Sequence, residues 1–444
     1  MQSQAIVSSK VFQSLFTQLV PVRLVNWLFK LCAPKARRPG RLRPHELIMS
    51  LVFHVLAGAG TLAQHVKQIT GKTITDGALS QRRGHLPWQI FESLLEEVLK
   101  PKADPQKHPQ AFYQGLRLCG VDGTLFSVAN TPQIKGVLPK ATTRRFKAAF
   151  AKIGMVSLVE LGVHNPISAA IGPLGESEMV LAYRLVGALP KMSLLIADRY
   201  YGVPAYIEEF DRIHPEGDCQ FLLRAKANLK VKVLETFGDG SALVEISKGK
   251  YKRQVREVRA RVRRGRKAWT DVRLWTSLLD WKKHPAQALL ELYGRRWDHE
   301  IAYKELKIEM RSAPLLQSHT VNTAAQEIAA LLIAYSILID QRIQAGETGK
   351  IDVLRISFLK TLHWVRGLWN FLEVGQGILT PEQVRKYVAN TLKEISRATT
   401  AKRRKRSCPR AVRQPVSSRP RLVKNTYHHG PVEYDIQPMN TCLI

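Results

Sequence analysis

Two stretches decide the fold: Leu116–Ala129, LRLCGVDGTLFSVA, and Met192–Gly202, MSLLIADRYYG. In the first, the apolar run Leu116–Val121 reads as a short strand ending at Asp122-Gly123, with Leu125–Ala129 following after a turn. In the second, Met192–Ala197 reads as a strand buried on both faces and ending at Asp198. A carboxylate at the end of such a strand is held by the sheet yet faces the crevice where ligands of α/β folds sit. Each aspartate taken alone is equally an ordinary turn residue bonding its own backbone.

Outward from these stretches the pattern stays mixed. Ile153–Val163 is a β-branched run that reads as a strand, and Glu176–Val186 reads as a helix closed by Gly187 and Pro190. A helix is expected over Val203–Ile213. From Phe221 to Leu279 the character changes. Val231 and Val233 alternate with Lys230 and Lys232, Gly238-Asp239-Gly240 supplies a hairpin turn, and Val258, Ala260 and Val262 alternate with Arg259, Arg261 and Arg263. This reads as a small all-β unit inserted into the α/β core.

The flanks are helical. Apolar periodicity runs through Phe12–Phe29, Glu46–Ala57 and Trp88–Leu99. Thr61–Ile69, Gly71–Ile74 and Thr75–Leu86 read as helix, turn and helix, a pattern that serves DNA reading in some proteins and plain bundle packing in others. Further helices are expected over Pro285–Met310, Val321–Arg342 and on to about residue 398. Residues 401–424 hold ten Lys/Arg, three prolines and no acid, the composition of a flexible basic tail.

Charge narrows the function. The chain has 444 residues, with 68 Lys+Arg against 36 Asp+Glu, a net +32. So much like charge opposes compaction unless a polyanion is the partner, with nucleic acid first and an acidic membrane surface second. The five cysteines (Cys32, Cys119, Cys219, Cys408, Cys442) form no CxxC pair, which disfavours a zinc ribbon or disulfide scaffold and fits a reducing cytoplasm. No signal peptide is read, since Gln13, Gln18 and Arg23 break the first apolar stretch. Leu47–Ala63 carries His54, Gly58 and Gly60, and Ile328–Ile339 is too short for about 30 Å of bilayer, so both read as buried helices. His428-His429 reads as incidental, and no GxxxxGK[ST] loop for a nucleotide occurs.

The third element joins the aspartates. On a continuous helix from Pro285, Tyr293, Arg296, Glu300 and Lys307 stand at offsets of 0, 3, 7 and 14. At about 100° per residue they share a stripe about 60° wide. A solvated salt-bridge ladder would look similar, but Trp297 and Tyr303 set aromatic bulk beside this stripe. The helix would dock one carboxylate against the sheet carrying Asp122 and Asp198. Three convergent acids on a basic chain repel each other and phosphate unless a cation offsets them. Mg²⁺ suits such oxygen ligands.

Tyr293-x-x-Arg296-Trp297-x-x-Glu300-x-x-Tyr303-Lys304-Glu305-x-Lys307 resembles the Tyr-Arg-Glu-Lys signature of the insertion-sequence-four family of DDE transposases. Val121-Asp122-Gly123-Thr124 resembles the family's first Asp, Ala197-Asp198-Arg199-Tyr200-Tyr201-Gly202 its second, and Ser177-Glu178 also fits; the likeness covers residues 40 to 425. Many relatives place Gly earlier after the second Asp. The resemblance implies an α/β fold: a ribonuclease-H-like core with an all-β insertion, between helical N- and C-terminal regions. It divides the chain into a helical DNA-binding region (1–108), a catalytic core in two parts (109–218 and 285–345), the β insertion (219–284), a helical region (346–400) and a basic flexible tail (401–444).

It also implies that Asp122, Asp198 and Glu300 are catalytic and hold two Mg²⁺ ions, with Mn²⁺ able to substitute. Tyr293, Arg296 and Lys307 would contact DNA phosphates, with Trp297 and Arg199 beside them. The implied partners are the inverted repeats at the transposon ends, target DNA and a second copy in a homodimer. No membrane or nucleotide cofactor is expected, and the place of work is the bacterial cytoplasm at the nucleoid. The basic clusters at Arg144, Arg145, Lys147 and Lys152, at Arg224 and Lys226, and at Arg259, Arg261 and Arg263 read either as phosphate-tracking surfaces or as solvated faces. Two rivals keep the same residues: a two-metal nuclease or resolvase on the same fold, and a non-catalytic DNA-binding derivative.

Overall fold

A computed structural model describes residues 8–33, 41–138, 149–264, 269–311, 313, 315–375, 377–400, 411–412, 421–422 and 432–437. Arg144, Arg145, Lys147, His428, His429 and most of the Lys402–Lys424 segment lie outside the described residues. The chain is a mixed α/β protein that divides into two compact units, Met1–Ser193 with Trp297–Thr400, and Leu194–Arg296 with Ala401–Ile444.

The first unit begins with helices whose ends the sequence marks. Pro44–Ala57 starts with Pro at a position that needs no N–H donor, and Glu46 accepts the free N–H of Arg43 at 2.8 Å. It stops at Gly58, where φ is +76°. Thr61 and Gln64 cap Leu62–Thr70 reciprocally, and Thr75 caps Asp76–Gly84. The axes of Pro44–Ala57 and Leu62–Thr70 are bent by 117°, so the apolar stretch across them is two packed helices. Among the described residues, Val321–Gly349 is the single helix long and apolar enough to cross a membrane, and 83% of its most apolar window is buried inside the protein. It packs against Pro44–Ala57, Gln89–Val98, Phe358–Val374 and Pro381–Arg397. Ala325, Ile328, Leu332 and Ile339 are among the buried side chains that make it the core helix.

Three antiparallel strands complete this unit, in the order Asn165–Gly172, Ala151–Glu160, Leu116–Val128. The expected turn after Val121 does not exist. Leu116–Val128 runs straight through Asp122-Gly123, and Asp122 faces Ser157 in register. Its pairing with Ala151–Glu160 keeps one unbroken register from Cys119 to Val128, across the site of the expected turn. Asn165–Gly172 was not foreseen, because Ser168, Ala169 and Ala170 give it no alternation; it is buried along its whole length.

In the second unit the strand order is Ser193–Gly202, Cys219–Ala225, Thr270–Thr276, Tyr251–Arg264, Ala242–Lys248, Lys232–Thr236. The strands of the expected β insertion join the sheet that begins at Ser193–Gly202, since Leu274 pairs with Arg224 along Cys219–Ala225. Val432–Ile436, within the stretch expected to be a tail, is a strand paired with Tyr251–Arg264. It lays acids beside the arginine face: Asp435 binds Arg261 at 2.5 Å and Glu433 binds Arg263 at 2.5 Å, while Arg259 pairs with Glu257.

Candidate active site

The helix expected over Pro285–Met310 is four pieces: an α-helix at Ala286–Tyr293, a 3₁₀ turn at Gly294–Arg296, an α-helix at Trp297–Lys304 and a π turn at Glu305–Glu309. This corrects the single stripe. A 3₁₀ turn winds tighter and a π turn looser than about 100° per residue, so Tyr293, Arg296, Glu300 and Lys307 do not lie on one continuous helical face. The boundary between units falls at Arg296/Trp297 and distributes the four residues two and two.

Glu300 and Lys307 belong with Asp122. The helix Trp297–Lys304 packs on the strand Leu116–Val128. Gly120 makes room for it, since a Cβ there would lie 3.0 Å from His299 Nδ1. His299 is buried, with Nε2 3.1 Å from Ser157 Oγ. Tyr303 is the latch: its hydroxyl donates to the carbonyl of Asp122 and accepts from Ser157 N at 3.2 Å and Ser157 Oγ at 3.0 Å. Glu300, half-buried, stands one turn before this latch, on the same side of the helix.

Acids gather at this point. Burial raises the Tyr303 hydroxyl pKa far above its ordinary value, and the carboxylates of Asp122 and Glu178 raise it further. Glu178 opens a helix capped by Ser177 and lies on Gly123, where an added Cβ would meet Glu178 Cδ at 2.3 Å. Lys307 closes the other side, donating from Nζ to Thr124 Oγ1 and to the carbonyl of Leu125, both at 2.8 Å.

The π turn that delivers Lys307 is anchored by a buried acid that the sequence reading did not single out. Glu305 accepts from Arg342 Nη1 at 3.1 Å and Tyr335 Oη at 2.7 Å, and lies 3.2 Å from His164 Nδ1. Burial alone would raise its pKa, but Arg342 and then His164 outweigh that and bring it down to about 2. Arg342, the single basic residue of the helix Val321–Gly349, was the available signal, because a buried cation needs a partner.

Asp198 lies in the second unit, inside the strand Ser193–Gly202 and not at its end. Its Oδ1 accepts from Tyr200 N at 2.7 Å. Tyr293 and Arg296 are with it: burial pushes the Tyr293 hydroxyl up to about 12, Arg296 (to which it is hydrogen-bonded) and Arg224 pull it back, and Asp198 pushes it up again. Arg199 and Trp297 are exposed. Lys226 sits 6.0 Å over the ring of Tyr200. Asp122 with Glu300, and Asp198 with Tyr293 and Arg296, are therefore two separately built clusters.

Acids on sheet strands and on a helix latched to one of them, with lysine, arginine and tyrosine around them in a chain of net +32, are the groups that chemistry on nucleic-acid phosphodiesters uses. Residues 114–337 match the family described as "Transposase DDE domain". The chain is 26% identical over 348 residues to "Transposase InsG for insertion sequence element IS4" of Escherichia coli (strain K12), covering 77% of each chain. It is 26% identical over 161 residues to "Putative transposase InsZ" of the same organism, covering 36% of this chain and 52% of that relative. A cryo-EM structure of the piggyBac transposase synaptic complex with hairpin DNA has a TM-score of 0.43 at 10% identity, covering 85% of this chain and 84% of that one. The chain belongs to the transposase DDE domain family and is a DNA transposase of the IS4 kind. Enzymes of this domain family generally use divalent metal ions.

Proposed function

We propose that the chain cuts DNA at the ends of an insertion sequence and joins them to target DNA by a cut-and-paste route, with Asp122, Asp198 and Glu300 as its catalytic carboxylates. The observation that carries this is the latch: the Glu300 helix is bonded through Tyr303 to the backbone of Asp122 itself. The core is of the ribonuclease-H-like kind.

A cation suits this set, because Asp122 and Glu178 crowd one phenol and an all-oxygen cluster favours a hard divalent ion. Asp122, Asp198 and Glu300 would hold two Mg²⁺, or Mn²⁺ in their place. When bound, such ions lower the pKa of the attacking water or 3′-hydroxyl and stabilise the leaving oxygen. The chain's own groups orient the DNA. Lys307, fixed by Thr124 and Leu125, fits a phosphate next to the cleaved bond; Tyr293 and Arg296 place a phenol and a guanidinium beside Asp198 for another. Arg199 and Trp297 are exposed for further contacts.

The helical region over 1–108 binds DNA, the segments 109–218 and 285–345 carry the chemistry around the 219–284 insertion, and 346–400 supports pairing of two copies at the transposon ends. The enzyme works at the nucleoid in the bacterial cytoplasm. The test is Mg²⁺-dependent cleavage and strand transfer on DNA bearing the flanking inverted repeats. Glu300→Ala is expected to abolish both while the protein stays folded and still binds DNA. Cleavage that survives Glu300→Ala refutes the triad, and nicking without joining would favour a resolvase-like enzyme.

A further inference from the structure

A cavity of about 430 Å³ lies in the first unit, and its charged lining is two arginines and one acid. Its walls come from the Pro44–Ala57 helix and the Gly58–Thr61 turn, from Arg83 at the end of Asp76–Gly84, from Arg311 after the π turn, and from Glu327 and Leu331 of the core helix. Arg83 donates from Nη2 to Ser318 Oγ at 3.2 Å and to the carbonyl of Thr323 at 3.1 Å. Its Nε is buried and donates to no acceptor among the described residues, and the same is true of Arg311 Nη2.

Two guanidiniums each leave a buried donor over. A buried N–H without an acceptor is costly, so such donors favour an accepting partner, a ligand oxygen or a water. Glu327 in the same lining offsets part of this charge, since it acts on both Arg83 and Arg311, while its hydrogen bonds come from Gln317 N at 3.0 Å and Ser318 Oγ at 2.6 Å. His54, 2.8 Å from His65 between their Nδ1 atoms, adds no charge near neutral pH, because burial, then His65 and Arg83, lower its pKa to about 4. The cavity therefore has a surplus of positive charge and of N–H donors, with apolar walls from Leu51, Leu316 and Leu331. It also continues the basic side of the candidate active site, because Arg311 and Lys152 both act on Lys307, four residues back along the chain.

We propose that this cavity binds a phosphate group of the DNA backbone, held by Arg311 and Arg83 beyond the Lys307 contact. A phosphate diester has the acceptor oxygens that both guanidiniums lack. The strand leading away from the scissile bond would then pass from Lys307 to Arg311 and reach the helical N-terminal region at Arg83.

The inference rests on the chain's binding DNA, and its test separates the two. The full chain, without divalent metal, is titrated with a short mixed-sequence duplex over a series of salt concentrations. Arg311→Gln is the main variant, because Arg83 also ties down Ser318 and Thr323 and its loss could disturb folding. Loss of one phosphate contact is expected to lower the slope of log affinity against log salt by about 0.9. Arg83→Gln, where it folds, should do the same. An unchanged slope in folded Arg311→Gln, with the wild type binding normally, overturns this site alone. A wild type that does not bind the duplex overturns the DNA reading and the site together. Inorganic phosphate, followed by its effect on thermal melting, distinguishes the source of the anion. Arg311-dependent binding of free phosphate with an unchanged DNA slope would make this a small-anion site and refute the proposal.

Discussion

Replacing Arg342 by Met tests whether the buried Glu305 cluster holds the π turn in place. Arg342 binds Glu305 through Nη1 and the carbonyl of Ile356 through Nε at 3.0 Å and Nη2 at 2.6 Å. Met fills much of the same space but leaves a buried carboxylate facing only His164 and Tyr335. Breaking a buried pair from one side costs about 3–5 kcal/mol. The proton linkage agrees in size: a carboxyl held at about 2 in place of 4.5 corresponds to roughly 3 kcal/mol at about 1.36 kcal/mol per unit.

The sign of the pH dependence follows. In the wild type the folded state binds fewer protons than the unfolded one between pH 4.5 and about 2. The contribution of Glu305 is therefore fully present above pH 4.5 and lost as the pH falls toward 2. In Arg342→Met, burial is no longer outweighed, so the folded-state pKa rises above the unfolded one. The variant should then gain stability relative to pH 7 as the solution is made mildly acidic. Urea unfolding at pH 7 and in mild acid measures both effects. Adding Glu305→Gln to Arg342→Met should restore much of the loss, since a neutral amide does not need the cation. A loss below about 1 kcal/mol in Arg342→Met, or no rescue by Glu305→Gln, would refute the reasoning.

Three further outcomes follow from single contacts. Tyr303→Phe removes the donor to Asp122 and the acceptor for Ser157; it should cost about 1–3 kcal/mol and lower the cleavage rate with DNA affinity preserved, and a normal rate would show that the latch does not position Glu300. Gly123→Ala puts a methyl 2.3 Å from Glu178 Cδ, so the carboxylate must swing away from Asp122; thermal melting should change little while cleavage falls, and unchanged cleavage would separate Glu178 from the site. Burial first, then His65 and Arg83, lower the His54 pKa to about 4, so the unfolded state alone takes up that proton between pH 6.5 and 4. Stability should fall as pH drops through that window, and His54→Asn should flatten the fall seen in thermal melting.

Much of the mixed α/β character was legible because its signals are local. The helices expected from Thr61 and from Thr75 and the β-branched run at Ile153 are set within a few residues, and the elements follow them. Asp122 misled because Asp-Gly is strong turn chemistry, and only pairing with Val156-Ser157, far along the chain, keeps the strand straight there. The stripe misled for a related reason. Spacing read at a constant pitch assumes a continuous α-helix, whereas the Gly294–Arg296 and Glu305–Glu309 turns depart from it.

The departures follow from the neighbours rather than from the stretch itself. Glu305 is pulled inward by Arg342 and His164, and Lys307 is held outward by Thr124 and Leu125. An α-helical turn has no slack to satisfy both, and one extra residue in the turn supplies it. The signature residues are legible by type and spacing, while what fixes Glu300 and Lys307 in place lies in other residues. Tyr303 ties Glu300 to Asp122, Glu305 sets the pitch for Lys307, and Arg342 makes a buried Glu305 possible. On this account a variant that keeps every signature residue but loses Arg342 should be as inactive as one that loses Lys307.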